Sequence, residues 1–357
     1  MSQSEDRRDR SDLPGSPALA YPDLHIQAEM RSQPTDFEVS EQLGFELTGK
    51  GEHCFLRIRK TDCNTMWVVR ILGQAARVHP RDIGYSGLKD RRARTDQWFS
   101  LPAAKAANLD AETLRQANLE VLEQELHAKK LRRGSHSANR FRIVLRAMHG
   151  DLSGVEQRML TIAEHGVPNY FGTQRFGRDC GNLQLAEALA SGKRLRRAER
   201  GFALSAARAL IFNEVLSKRV ALGSWSHLSA GDLAGLAGSR SYFAVAAVDA
   251  EIQDRLVRGD IHPTGPLWGK GRLGTGAGIR DIELGVAEQF PVFAECLARL
   301  GLDHERRYLR LIPEDLDWQL ENVDDACNLV VSFSLPAGCF ATSVLREILV
   351  ARDKQLD

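Results

Sequence analysis

The chain has 357 residues, 43% hydrophobic and 27% charged, a globular balance with more length than one compact core usually holds, so two domains are expected. Its 48 basic and 47 acidic residues leave a formal net charge of +1, so any case for nucleic-acid binding has to come from local clusters. No secretory leader or membrane-length apolar run is visible, and neither the six cysteines nor the ten histidines have metal-ligand spacing, so a cytoplasmic protein with reduced thiols and no metal is expected.

Residues 1–22 are polar and carry both charge signs, and are read as a disordered tail. Next comes Pro34-Thr35-Asp36-Phe37-Glu38-Val39-Ser40-Glu41, a proline-led turn opening an extended run. Phe37, just past that turn, is either ordinary core or a surface on which a base could stack. Cys54-Phe55-Leu56-Arg57-Ile58-Arg59 alternates apolar and basic side chains, as a strand with one wet face does. Residues 64–79 carry helical periodicity through Trp67, Val68, Ile71, Leu72, Ala75 and Val78, with Asn64 as N-cap and Pro80 ending the element.

That helix leads to GYSGLKDRRARTDQWFS, residues 84–100, around which the chain is organised. Gly84 and Gly87 bracket a short apolar piece, and Lys89-Asp90 is followed at once by Arg91, Arg92 and Arg94. One carboxylate among four cations is an arrangement that favours its charged form. Thr95 to Leu101 then reads as a strand. A turn presenting a single Asp in a basic, glycine-lined setting suits chemistry on a polyanion; a solvated charged turn is the plainer alternative.

Leu119 to His127 is a further strand, leading into Lys129-Lys130-Leu131-Arg132-Arg133. This run is either a solvated loop or a phosphate-contacting patch. Asn139 opens the alternating strand Phe141–Arg146, by turn chemistry or to reach a base edge. The texture changes at Gly150, where a helix over 151–165 precedes Gly166-Val167-Pro168-Asn169-Tyr170-Phe171-Gly172-Thr173-Gln174-Arg175-Phe176-Gly177. That aperiodic stretch is a shaped loop, either an aromatic and arginine platform for single-stranded RNA or a packed interdomain hinge. Helices follow at Asn182–Ser191 and Leu204–Leu222, with the basic cluster Lys193, Arg194, Arg196 and Arg197 between them. From there to about residue 315 the chain is glycine-rich and resists parsing. Asn328–Leu335 alternates as a strand, and residues 339–348 read as a helix rejoining the first domain's sheet.

Four segments in this order, PTDFEVSE (34–41), GLKDRRARTDQW (87–98), ANRFRIVLR (138–146) and VPNYFGTQRFG (167–177), resemble the TruD-type tRNA pseudouridine synthases, and LPAGCFATSVLREI (335–348) matches as well. The resemblance implies an α+β catalytic domain with a mixed, mainly antiparallel sheet and flanking helices. It places that domain at 23–160 and 316–357, with an inserted α+β TRUD domain at 161–315. It implies isomerisation of uridine to pseudouridine at position 13 of tRNA, without cofactor or metal. The expected partner is tRNA, with no membrane and no protein partner, the protein being a monomer. Asp90 matches the family's catalytic aspartate, Phe37 an aromatic that packs on the target base, and Asn139 a substrate-contacting amide. Phe141 belongs to the Asn139 motif, and Phe340 matches a further substrate-site aromatic.

This chain has Arg31 where family members carry a Lys, which makes Arg31 one candidate partner of Asp90 and Lys89 its rival. The clusters Lys129, Lys130, Arg132, Arg133 and Lys193, Arg194, Arg196, Arg197 are expected on the RNA backbone. Two other readings stand beside this one. A non-catalytic tRNA-binding or folding protein on the same fold would have lost the carboxylate. A hydrolase would need a second carboxylate, for which Glu38 and Glu41 are available.

Overall fold

The computed structural model describes residues 17–323 and 326–353. Within them the chain forms two compact units. One takes residues 25–152, 313–338 and 351–353, and the other takes 17–24, 153–312 and 339–350.

The first is a sheet unit, of class α+β. Its N-terminal part supplies β1 (Gln27–Met30), β2 (Phe37–Leu43), β3 (His53–Thr61), helix α1 (Thr65–Ala75), β4 (Gly84–Tyr85), β5 (Arg94–Pro102), short helices α2 (Ala103–Ala106) and α3 (Ala111–Gln116), β6 (Glu120–His127) and β7 (His136–His149). The second unit follows with α4 (Val155–His165), β8 (Val167–Pro168), α5 (Gly181–Ala190), α6 (Arg197–Ala221), β9 (Leu233–Leu236), β10 (Tyr242–Ala244), α7 (Ala250–Val257), β11 (Ile261–Leu267), α8 (Ala277–Ala287), α9 (Pro291–Arg299), β12 (Glu305–Tyr308) and β13 (Arg310–Leu311). The chain then returns to the sheet with β14 (Glu314–Val323) and β15 (Ala326–Pro336), runs through α10 (Ala341–Leu345) and ends in β16 (Val350–Asp353).

The sheet has ten strands along a main path β14-β15-β7-β2-β5-β3-β6, with β1, β4 and β16 at its margins. Along that main path the ladders are antiparallel except β2–β5, which is parallel. Register sets the face on which function is built. Lys60, Thr95, Val39, Phe141 and Phe333 form one row across β3, β5, β2, β7 and β15. Ile58–Gln97 and Glu41–Asn139–Leu335 lie two residues along on the same face, because strand side chains alternate with period two. Over β3 and β5 this face is dry: Leu56 and Ile58 pack with Val68, Val69 and Leu72 of α1. Burying each such aliphatic contributes about 1.5–3 kcal/mol. The opposite face is a charge lattice in which Asp96 takes Arg59 bidentately at 2.8 and 2.9 Å, and Glu38 takes Arg94 at 2.6 Å.

The second unit is built on α6, whose Ala203, Ala206, Leu210, Phe212 and Leu216 lie in one buried cluster. The four-stranded sheet β10-β9-β11-β12 and the β8–β13 pair complete it. The glycine-rich stretch that resists parsing thus holds short strands and three helices, and its φ-positive Gly231 lies so near Gly276 that a Cβ would meet Gly276 Cα at 2.9 Å.

Two expectations need correction. Of the tail expected to be disordered, residues 1–16 lie outside the described residues, while residues 17–22 are fixed against the helical unit. Tyr21 donates to the Gly166 carbonyl at 2.6 Å and packs edge-on to Trp225, an aromatic anchor in an otherwise polar tail. The C-terminal helix spans only Ala341–Leu345 and belongs to the helical unit. Val344, Leu345 and Ile348 are buried there, and Ser343 donates to the Tyr170 carbonyl at 2.9 Å.

Candidate active site

The turn between β4 and β5 is pinned at every residue that matters. Gly84 has no room for a side chain, since a Cβ would meet the Leu131 carbonyl oxygen at 2.3 Å, so only glycine lets β4 lie this close. Gln97 donates its amide to the Gly87 carbonyl at 2.7 Å, and Thr65 bridges Gln97 to the Lys89 amide with two 3.0 Å bonds. Lys60, fully buried, donates to the Cys63 carbonyl at 2.6 Å and to the Asp90 carbonyl at 3.1 Å. Burial pushes its pKa down to about 8, against the upward pull of Cys63 and Asp90. The backbone of 87–90 is thereby held by three buried polar side chains of β3, α1 and β5.

Asp90 projects from this turn with its side chain 36% exposed. Arg31 donates to its Oδ2 at 2.9 Å, the arginine itself being nearly enclosed. Arg31 sits at φ +59°, a left-handed conformation that costs a non-glycine residue about 1 kcal/mol or more. That kink after β1 lays its guanidinium 4.2 Å from the Phe37 ring centroid. Phe37 meets Phe141 edge-on at 6.1 Å, and Phe141 meets Phe333 at 5.5 Å, so three aromatics from three strands form a floor beneath the ion pair.

Lys89 points elsewhere. Its ammonium reaches Glu41 Oε2 at 2.7 Å and donates to Asn139 Oδ1 at 2.8 Å. Glu41 is fully buried, and its Oε1 accepts from Ser86 Oγ at 2.9 Å and from the Trp98 amide at 3.4 Å. An ammonium can only donate, so Asn139 must turn its oxygen to Lys89 and keep its NH2 group for another acceptor. Beside this pair, burial and the Lys89 charge lower the pKa of His136, with Glu41 opposing.

Arg31, Phe37, Lys89, Asp90, Asn139 and Phe141 therefore cluster on one face of the sheet unit, and of the two rival cations Arg31 pairs with Asp90. Of the two spare carboxylates, Glu38 lies on the opposite face with Arg94, and Glu41 is locked to Lys89. In the helical unit Phe340 is half-buried, edge-on to Phe171 at 6.1 Å and 5.8 Å from the Arg175 guanidinium. The aromatics of the 166–177 loop are core: Tyr170, Phe171 and Phe176 are all buried, which leaves no stacking platform there. In the basic clusters, Lys130 donates to the Arg81 carbonyl at 2.6 Å and Arg133 to Tyr85 Oη at 2.6 Å, while Lys129, Arg132, Lys193, Arg194, Arg196 and Arg197 are exposed. Among the described residues no group of three or more His, Cys, Asp or Glu is placed to hold a metal ion, and no helix is long and apolar enough to cross a membrane.

Sequence reasoning missed Lys60, Thr65 and Gln97. Lys60 had a legible signal: it continues the dry side of β3 after Cys54, Leu56 and Ile58, where a charged residue is out of place.

The family model for tRNA pseudouridine synthase D (TruD) matches residues 18–198 and 192–348. A tRNA pseudouridine synthase D of Methylococcus capsulatus is 44% identical over 345 residues, covering 95% of this chain and 96% of that protein. One of Aeromonas hydrophila is 42% identical over 325 residues, covering 91% of each. In fold, the chain is similar to the crystal structure of a Methanosarcina mazei protein assigned to tRNA pseudouridine synthase D, with a TM-score of 0.71 at 20% identity, over 93% of this chain and 95% of that one. With its length matched almost throughout, this chain belongs to the tRNA pseudouridine synthase D (TruD) family.

Proposed function

We propose that this protein isomerises uridine to pseudouridine in tRNA, at position 13, with Asp90 as the catalytic carboxylate. The reading rests on family membership and on one observation: a partly exposed aspartate, ion-paired to Arg31 at 2.9 Å, on a turn whose backbone is fixed from below. The reaction breaks the C1′–N1 bond, turns the uracil and rejoins it through C5, whose proton leaves as N1 gains one, so product and substrate have the same atoms. Asp90 acts either by attacking C1′, giving an ester that C5 later displaces, or by taking the C2′ proton to give a glycal that later takes it back. Both routes use the carboxylate form, to which Arg31 supplies a direct counter-charge.

The base must leave its stack to reach Asp90, at a cost of a few kcal/mol. Phe37 is buried with the Arg31 guanidinium over its ring, backed by Phe141 and Phe333, so the base stacks on Phe37 only once that guanidinium shifts. An aromatic contact of this kind contributes about 1–3 kcal/mol, enough to offset much of that cost. Asn139 presents its NH2 group to a uracil carbonyl, because Lys89 occupies the oxygen of its amide. The exposed lysines and arginines of 129–133 and 193–197 bind the tRNA backbone. Asp90→Asn, which keeps the shape and removes the charge, tests the assignment: the variant binds tRNA with near wild-type affinity and yields no pseudouridine by nucleotide analysis. Product at more than a trace level would remove Asp90 from the chemistry.

A further inference from the structure

Buried cations in this protein come with a carboxylate or, as at Lys60, Arg158 and Arg310, with backbone carbonyls. Lys89 has Glu41, Arg219 has Asp232 at 2.8 Å, and Arg306 has Glu283 at 2.7 Å. Removing a charge from water costs several kcal/mol unless an opposite charge or good dipoles replace the solvent, so this pattern is the expected one. Arg175, in the aromatic loop of the helical unit, departs from it. No carboxylate among the described residues pairs with it, and burial alone pulls its pKa down. Its Nη1 donates to Ser205 Oγ at 3.0 Å, while its Nε is buried with no hydrogen-bond acceptor in reach.

The surroundings fix this guanidinium without neutralising it. Its carbon lies 5.2 Å from the centroid of Phe171 and 5.8 Å from that of Phe340. Arg307 covers Phe171 as well, at 4.1 Å, and donates to Asn169 Oδ1 at 2.7 Å. Burial lowers the pKa of Arg307, Cys339 opposes this, and the charge of Arg175 adds to the lowering, so the two cations feel each other across the ring. Phe171 cannot yield, because Asn213, itself buried, clamps its backbone from both sides: Oδ1 accepts from the Phe171 amide at 2.9 Å and Nδ2 donates to its carbonyl at 3.0 Å. Gly172 lets Phe340 lie against the loop, since a Cβ there would sit 3.2 Å from the Phe340 ring.

Two guanidinium groups held on one immobile ring, the outer one half-buried and without an acid, form a preorganised receptor for an anion. Arginine suits it: its planar fork is weakly hydrated and matches the oxygens of a phosphate. We propose that Arg175, backed by Arg307, is an anion site that takes a phosphodiester group of the RNA substrate. The RNA identity of that anion rests on the function proposed above. The missing counter-charge is thus supplied by the ligand, next to the aromatic at 340.

The test is equilibrium binding of tRNA to the full-length protein over a series of salt concentrations. It compares wild type with Arg175→Gln and Arg175→Met, which lose the charge, and with Arg175→Lys, which keeps it. Each phosphate contact contributes about 0.7–0.9 to the slope of log K against log salt. Both charge-free variants are expected to lose one such increment and about tenfold in affinity at low salt, while Arg175→Lys keeps the slope. Thermal unfolding is followed alongside. An unchanged slope in the charge-free variant that folds, or equal loss in the Lys variant, overturns the site. A wild-type protein that makes no pseudouridine yet shows the slope change would refute the catalytic reading and leave the anion site standing. Isomerisation with no slope change would do the reverse.

Discussion

Lys60→Met replaces the buried ammonium with an apolar side chain of similar length and tests how the turn beneath Asp90 is held. The folded protein holds Lys60 with a pKa of about 8, against 10.5 for an ordinary lysine, because no water reaches it. Between those values the unfolded chain binds a proton that the folded chain has released, so stability rises with pH across that window. Below pH 8 the folded state carries the whole penalty of the enclosed charge. The gap corresponds to about 3 kcal/mol at roughly 1.4 kcal/mol per unit. Urea unfolding of wild type and Lys60→Met from pH 7 to 10.5 should show the difference between them moving toward wild type by about that amount. Cys63, Asp90 and Lys89 are the titratable groups facing Lys60, and burial raises the pKa of the Cys63 thiol, so the comparison is repeated on a Cys63→Ser background. A difference that stays flat with pH refutes the argument. In the same variant the Asp90 carbonyl loses its tether, and turnover should fall about 10- to 100-fold, the usual consequence of a reacting group displaced by an ångström.

Arg31→Ala and Lys89→Ala should fail in different ways. The first removes the counter-charge of a partly exposed carboxylate, so turnover at saturating tRNA drops by about 10-fold or more while the unfolding midpoint moves little. The second strands Glu41 as a buried unpaired charge, so stability falls by about 3–5 kcal/mol, measured in urea; equal unfolding midpoints in the two variants would contradict this division. In the helical unit Asp232→Ala leaves the fully enclosed Arg219 without its acid and should cost a similar 3–5 kcal/mol, read by the same method. Replacing the exposed Lys193, Arg194, Arg196 and Arg197 together with Gln should flatten the salt dependence of tRNA binding by up to about 0.9 per side chain, and an unaltered slope would make that cluster a solvated face.

Much of the sheet unit is legible in the sequence because its strands carry a period of two, broken where both faces are covered. Arg57 and Arg59 mark the wetter face of β3, although Phe55 is buried against Trp98 and Leu131. Arg140 and Arg142 are exposed positions of β7, although Ile143 to Leu145 are buried in succession. Asn64 caps α1 with its Oδ1 on the Trp67 amide at 2.8 Å. The turn carrying Asp90 is legible from composition, since charge and glycine concentrate there. Its supports are not. Arg31 and Asp90 meet through a kink at φ +59° that no residue pattern announces, and Lys60 grips the turn from a strand that pairs with it only in three dimensions. The 166–177 loop misleads for a related reason. Its aromatics have no helical or strand period, yet Tyr170 and Phe176 are enclosed, because irregular backbone can be buried when side chains such as Asn213 and Ser343 satisfy it. The glycine-rich stretch is hard to read because its elements are short, β9 and β12 having four residues each and β10 three.

The ladder between β7 and β15 joins residues far apart in the chain, so β7 is made long before its partner. Until β15 leaves the ribosome, β7 has a bare edge of unpaired amides and carbonyls, the kind of surface that recruits other chains. The aromatic bed is also unfinished, because Phe333 arrives with β15. A chain released early would therefore be sticky and inert at once, even though Asp90, Arg31 and Lys89 had all been translated long before. Closing so distant a contact should make the final docking of β15 the slow step of folding, and Phe141 the residue whose truncation slows it most.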